Sequence, residues 1–320
     1  MSIIQVASEK GEIVWVAIQT AVDVPNFPTT SGTLFVTESP TFTQEPVISQ
    51  NNEITDSYAE QAGEICGYKV GNLKLAMNFK VSGTKGTLSP IHPLLLAVYG
   101  RHTVVSNTSV SYKHYRRNPV DEFVYLTVLI KKQTETVLLT NVRVKKMEID
   151  ISADKLLPVT FDCMFEKKYH AGNSTLKIAI DGTVTPVTVI PLDGLEDYQQ
   201  FTAGSYVYVG TDDNDGAGFL VTAVSKANNT LTITGGVTTE QDEGVKIGGF
   251  TPVVTASGYN LQAGKSWKTG NTGELGSRKI FYTSLKYGLE NGTKALENIC
   301  SDTGVIGFSE GGRKVTLSCN

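Results

Sequence analysis

The chain has 320 residues, 40% of them hydrophobic and 19% charged, with a net charge of −4. That length accommodates two or three domains and a sizeable core, and the acidic balance argues against a general nucleic-acid binder. No apolar run approaches the ~18 residues of a membrane helix, and the start, MSIIQVASEKGEIVWVAIQ, with Glu9 and Glu12 and no basic opening, does not read as a signal peptide, which favours a chain made and kept in a cytosol.

In chain order, residues 11–21 contain a short apolar strand (Ile13 to Ile18), and Thr33 to Thr37 a second. Pro40 to Asp56 is polar and carries proline, and reads as an extended arm or long loop. Asn72 to Ser82 alternates, with Leu73, Leu75, Met77, Phe79 and Val81 on one face and Lys74, Asn78 and Lys80 on the other, which predicts a half-buried strand. Ser89-Pro90 predicts a capped helix over 90–99, stopped by Gly100. The stretch 101–118 is polar, aromatic and basic, and His102 and His114 flank a loop within it. Strands follow at 121–131, at 136–145 with 146–151 continuing its alternation, and at 155–165, with a turn at Ser152 to Lys155.

Composition shifts near Val189. Between positions 190 and 255 stand nine acids (Asp193, Glu196, Asp197, Asp212, Asp213, Asp215, Glu240, Asp242, Glu243) against Lys226 and Lys246, a balance of −7. SYVYVG, GFLVTAVS, NTLTITG and VKIGGF are four short strands between Gly/Asn/Asp turns, so the segment reads as an inserted, small acidic β-domain. The expected division is therefore 1–189, 190–255 and 256–320. Thr255 to Ser277 is a Gly-rich loop, 278–291 a strand, 294–301 strand or helix, 304–309 irregular, and 313–319 a final strand.

Chemistry is sparse. The cysteines Cys66, Cys163, Cys300 and Cys319 form no CxxC pair, and the histidines His92, His102, His114 and His170 show no metal-site spacing. Asp212-Asp213-Asn214-Asp215-Gly216 resembles a calcium loop, but Thr222 stands where the bidentate Glu should, so a hairpin turn is the simpler reading. Nucleophile-elbow, P-loop and dinucleotide fingerprints are absent. Lys113-His114-Tyr115-Arg116-Arg117 suits either phosphate contact or a charged loop at a subunit interface. No residue is assigned as catalytic, cofactor-binding or metal-ligating, no cofactor is expected, and the chain is not read as an enzyme.

Three stretches together resemble the major tail tube proteins of long-tailed bacteriophages. They are EPVISQNNEITDS leading through GYKVGNLKLAMNFKV to HPLLLAVYG, then NVRVKKMEIDISADKLLPVTFDCMF, then IFYTSLKYGLENGT with IGFSEGGRKVTLSC. The resemblance implies a mainly-β fold, a β-sandwich or open barrel with one short flanking helix, plus the inserted β-domain. It implies a virion protein, assembled in the host cytoplasm, whose copies form stacked, hexameric rings. Other tail proteins would be its partners, and DNA would pass through the lumen without specific binding. No membrane is involved. Another ring-forming tail component (a baseplate hub or tail terminator) and a carbohydrate-binding or carbohydrate-hydrolysing β-protein are the competing readings.

Overall fold

A computed structural model describes residues 12–21, 33–34, 36–50, 64–114, 124–132, 135–152, 156–250, 260–261, 273–275, 278–280, 284–297, 305–309 and 311–319. The fold is mainly β, with one α-helix among the described residues.

The organising element is a strand of 17 residues, Thr136–Ser152. The sequence reads 146–151 as continuing the alternation of 136–145, up to the turn at Ser152, and the two stretches are one strand. From Thr136 to Val144 every residue is buried, and only beyond Lys145 does the strand alternate. The first half is covered on both faces, as continuous apolar runs usually are. Leu126–Lys131 pairs with it along one edge and Lys167–Ala171 along the other. The second half pairs with Pro158–Phe165 and with Ser284–Glu290. Beyond those, Glu64–Asn78 and Thr41–Gln50 extend the sheet on one side, and Lys314–Cys319 extends it on the other. The result is a ten-stranded antiparallel sheet system whose two halves share one strand.

One core lies inside it, built from Leu73, Leu75, Met77, Val128, Leu139, Val144, Met147, Phe161 and their neighbours. The helix His92–Tyr99 closes that core with Leu94, Leu95, Ala97 and Val98. Its start departs from the expected Ser89 cap. The Ser89 hydroxyl accepts from the Ile91 N–H at 3.3 Å, ahead of the helix, and Ile91 occupies the cap position without a side-chain bond. The chain first turns through Ser89 C=O to His92 N–H (2.9 Å), which delays the helix by one step. Gly100 ends it at φ 85°, as its lack of a Cβ allows.

Other expectations are corrected. The stretch 101–118, for which no strand was expected, begins with a hairpin, Gly100–Val105 with Ser109–His114, and the loop that His102 and His114 flank is its turn. Most of the arm read at Pro40 to Asp56 is an edge strand, and its residues 51–56 lie outside the described residues. The irregular stretch at 304–309 is a strand, Val305–Ser309, paired with Lys294–Glu297. Within the loop read at Thr255 to Ser277, Asn260–Leu261 pairs with Lys80–Val81 and Gly273–Leu275 with Arg278–Ile280.

A second, six-stranded sheet has its own core of Leu176, Val207, Phe219, Val221, Leu231 and Ile247. The four strands expected in the acidic insert are all in it. Asn173–Thr175 and Val187–Pro191 join them from upstream of position 190, so strand pairing starts the unit earlier than charge does. Asp212 ties its turns together. Buried at 8% exposure, it accepts from the Thr238 N–H (3.0 Å) and hydroxyl (3.3 Å), the Thr239 hydroxyl (3.2 Å) and the Asn214 N–H (3.1 Å). Burial alone would raise its pKa, but these donors outweigh it and hold the carboxyl below the ordinary value. A group with a depressed folded pKa stabilises above its unfolded value, and that contribution fades as pH falls through the folded one. The expected result is a second sheet that weakens below about pH 4, and an Asp212→Ala chain that loses about 2 kcal/mol at pH 7. Thermal melts at pH 7 and pH 3 check both, and a substituted chain with wild-type acid sensitivity would contradict the assignment.

Candidate assembly surface

The sheet half made of Thr41–Gln50, Glu64–Asn78, Pro158–Phe165, the second half of Thr136–Ser152, Ser284–Glu290 and Lys314–Cys319 has two unlike faces. Cross-strand register defines both. On the core face, Leu75, Phe161, Met147, Leu289 and Val315 stand side by side, as do Met77, Val159, Ile149, Tyr287 and Leu317. The first row is fully buried from Leu75 to Leu289, at 0–1% exposure, and then emerges at Val315, 55% exposed; the second row ends on Leu317, 60% exposed. The apolar face therefore runs past the point where the rest of the chain covers it. Exposed apolar surface at a sheet edge is a hazard that monomers usually avoid.

On the opposite face charges alternate across the strands. Lys74 stands beside Asp162, Asp162 beside Lys146, Lys146 beside Glu290, and Glu290 beside Lys314. Along the strand, Lys146 Nζ bonds Glu148 Oε1 at 2.9 Å, and Lys286 Nζ approaches the same oxygen at 3.8 Å. The Lys146 hydrogen bond lowers the Glu148 pKa. Lys146 is raised, first by that bond and then, against desolvation, by the fields of Glu148, Asp162 and Glu290. Such exposed pairs contribute little stability. Their effect is to set which neighbours a strand accepts.

Both ends of this sheet half are open. Thr41–Gln50 pairs only with Glu64–Asn78, and Lys314–Cys319 only with Ser284–Glu290, among the described residues. Each therefore presents backbone groups along its outer side.

Of the described histidines, the fold brings His92 and His102 together and keeps His170 apart from them. His92 Nδ1 lies 2.9 Å from the Tyr112 hydroxyl, and the His92 and His102 rings meet edge-on at 4.5 Å. Burial first, and His102 second, push His92 down to about 4. His170 shares its Nδ1 with the Thr202 hydroxyl, at 3.0 Å, in the junction between the two sheets. Cys163 is buried in the core, which raises its thiol pKa and leaves it unreactive. Of the basic cluster, Lys113 pairs in register with Arg101, and Tyr115 to Arg117 lie outside the described residues. No group of three or more His, Cys, Asp or Glu is placed to hold a metal among the described residues. A cleft of about 970 Å³ opens between the helix, the hairpin and the turn at 82–87. Its titratable lining groups are Lys85, Tyr99 and Tyr112. Burial pushes Tyr112 up to about 12 and Tyr99 higher still, so both phenols stay protonated there.

No helix among the described residues is long and apolar enough to cross a membrane. No protein-family model matches the chain, and no curated protein matches it in sequence.

Proposed function

We propose that this is a structural virion protein that self-assembles into rings, stacked as the tube of a long-tailed bacteriophage tail. One observation carries the reading. Among the described residues, a continuous antiparallel sheet is open at both ends, and its core face continues onto an exposed edge at Val315 and Leu317. Copies related by rotation would cover that edge and close the sheet, which removes the hazard. The charge-alternating face then lines a channel. Balanced Lys, Asp and Glu on it avoid the cationic surface that would grip passing DNA. In this reading the acidic second sheet projects from the outer surface of the tube. The reading names no catalytic group and needs none.

The test is a substitution at the exposed edge. Val315→Lys with Leu317→Lys should leave the melting temperature within a few degrees, because both side chains are exposed, and should abolish assembly. Sedimentation velocity reads the difference. Wild-type protein should run as rings or longer species and the substituted chain as a monomer. A substituted chain that assembles like the wild type would overturn the role of this edge. Copy number in intact particles separates a tube, with very many copies, from a hub or terminator with one or two rings.

A further inference from the structure

Resting on the ring reading, we infer that the strand Lys314–Cys319 of one copy pairs antiparallel with Thr41–Gln50 of the next, in the register that sets Lys314 opposite Glu45. Three features bear on this register: the charge row selects it, and the apolar row and the strand direction are consistent with it.

The first is the charge row. From Lys74 through Asp162, Lys146 and Glu290, the sign alternates at every strand and ends on Lys314, at the open edge. Lys314 is exposed and has no ion-pair partner beyond the edge among the described residues. The next strand must bring an acid to that position to continue the alternation, since like charges directly opposite are destabilising. The opposite edge of the same sheet carries one in Glu45, which is exposed and on the same face, with Thr43 and Thr41.

The second is the apolar row. Setting Lys314 against Glu45 fixes every other pair, because register advances residue by residue. Thr316 then meets Thr43 on the charged face, and Leu317 meets Phe42 on the core face. Phe42 is partly buried and packs against the core from its side. Leu317, 60% exposed in a single copy, gains an aromatic neighbour. A slip of one residue would turn Leu317 toward the charged face and Lys314 toward the core.

The third is direction. Every pairing across this sheet half is antiparallel. Six strands therefore leave the two edges running in opposite senses. Rotating one copy onto the next sets those edges side by side, antiparallel, without inverting either subunit. Such a contact joins two different surfaces of one chain, and repetition around an axis closes it into a ring.

Single-cysteine variants test the register. Lys314→Cys protein mixed with Glu45→Cys protein should give a disulfide-linked dimer under mild oxidation, since directly opposite residues of an antiparallel pair lie about 4.5–5.5 Å apart at Cα. Lys314→Cys mixed with Thr43→Cys, two residues out of register, should give far less, and wild-type protein gives the background from native cysteines. A chain carrying both Lys314→Cys and Glu45→Cys should give a ladder ending at the closed ring. Assembly of the wild type with no cross-link above background would overturn this register and leave the ring reading standing. Absence of any assembly by the wild type would remove both.

Discussion

Replacing Gly71 with alanine is expected to lower the stability of the main sheet by about 3 kcal/mol. Gly71 stands directly opposite Phe165 across two antiparallel strands. A Cβ at position 71 would lie within the Phe165 ring, touching Cζ, Cε1 and Cε2. Phe165 is fully buried, at 0% exposure, and cannot swing into solvent. Either the ring leaves its place in the core or the two strands part, and both outcomes cost packing that interiors do not recover easily. The glycine is thus a recess cut for an aromatic ring. Thermal denaturation measures the loss. A Gly71→Ala chain with a wild-type melting temperature would mean that the ring sits elsewhere.

Asn291→Leu should cost a similar amount, about 2–4 kcal/mol. Asn291 is 1% exposed, and its side-chain amide donates to two carbonyls, Val98 at 3.3 Å and Val144 at 3.2 Å. Its own backbone N–H donates to Lys145 at 2.8 Å. One residue therefore joins the end of the helix, the long central strand and the chain that leads on to the edge strand. Leucine keeps the volume but leaves both carbonyls without that donor in a dry interior. Because the turn at Asn291 connects Ser284–Glu290 to the C-terminal strands, the substitution should also loosen Lys314–Cys319. Hydrogen exchange along 284–290 and 314–319 reads this directly, and unchanged protection there would contradict the role given to Asn291.

How far the sequence revealed this fold depended on how each strand is covered. Leu73 to Met77 was legible because one face meets the core and the other meets water, so the alternation is clean, but the strand expected to run on to Ser82 ends at Asn78, and Lys80–Val81 pairs with Asn260–Leu261 in another sheet. Thr136 to Ser152 was legible as far as the turn at Ser152, but not the cover on both faces of its first half, where Thr140 and Asn141 are buried too. The hairpin at Gly100 to His114 was hidden for the opposite reason. Residues 101–109 are all exposed, so no apolar face marks a strand. Thr41 to Gln50 was obscured by Pro46, which removes a ladder donor. An edge strand tolerates it, and the register shifts just beyond it. The acidic unit announced itself by charge, but charge does not mark strand partners, and its sheet starts at Asn173.

The candidate surface was the least legible part. Lys74, Asp162, Lys146, Glu290 and Lys314 are scattered through 241 positions of sequence, 74 to 314, and become a row only when five strands are set in register. No single segment carries that signal. The contact of His92 with His102, ten positions apart across the helix and the hairpin, was likewise invisible in the residue spacing.

The central claim is that the chain closes its open sheet with copies of itself. Electron microscopy of the purified full-length protein over a range of concentrations tests it most directly. The account predicts closed rings of uniform size, stacking into tubes as concentration rises. Dispersed monomers at every concentration would contradict it.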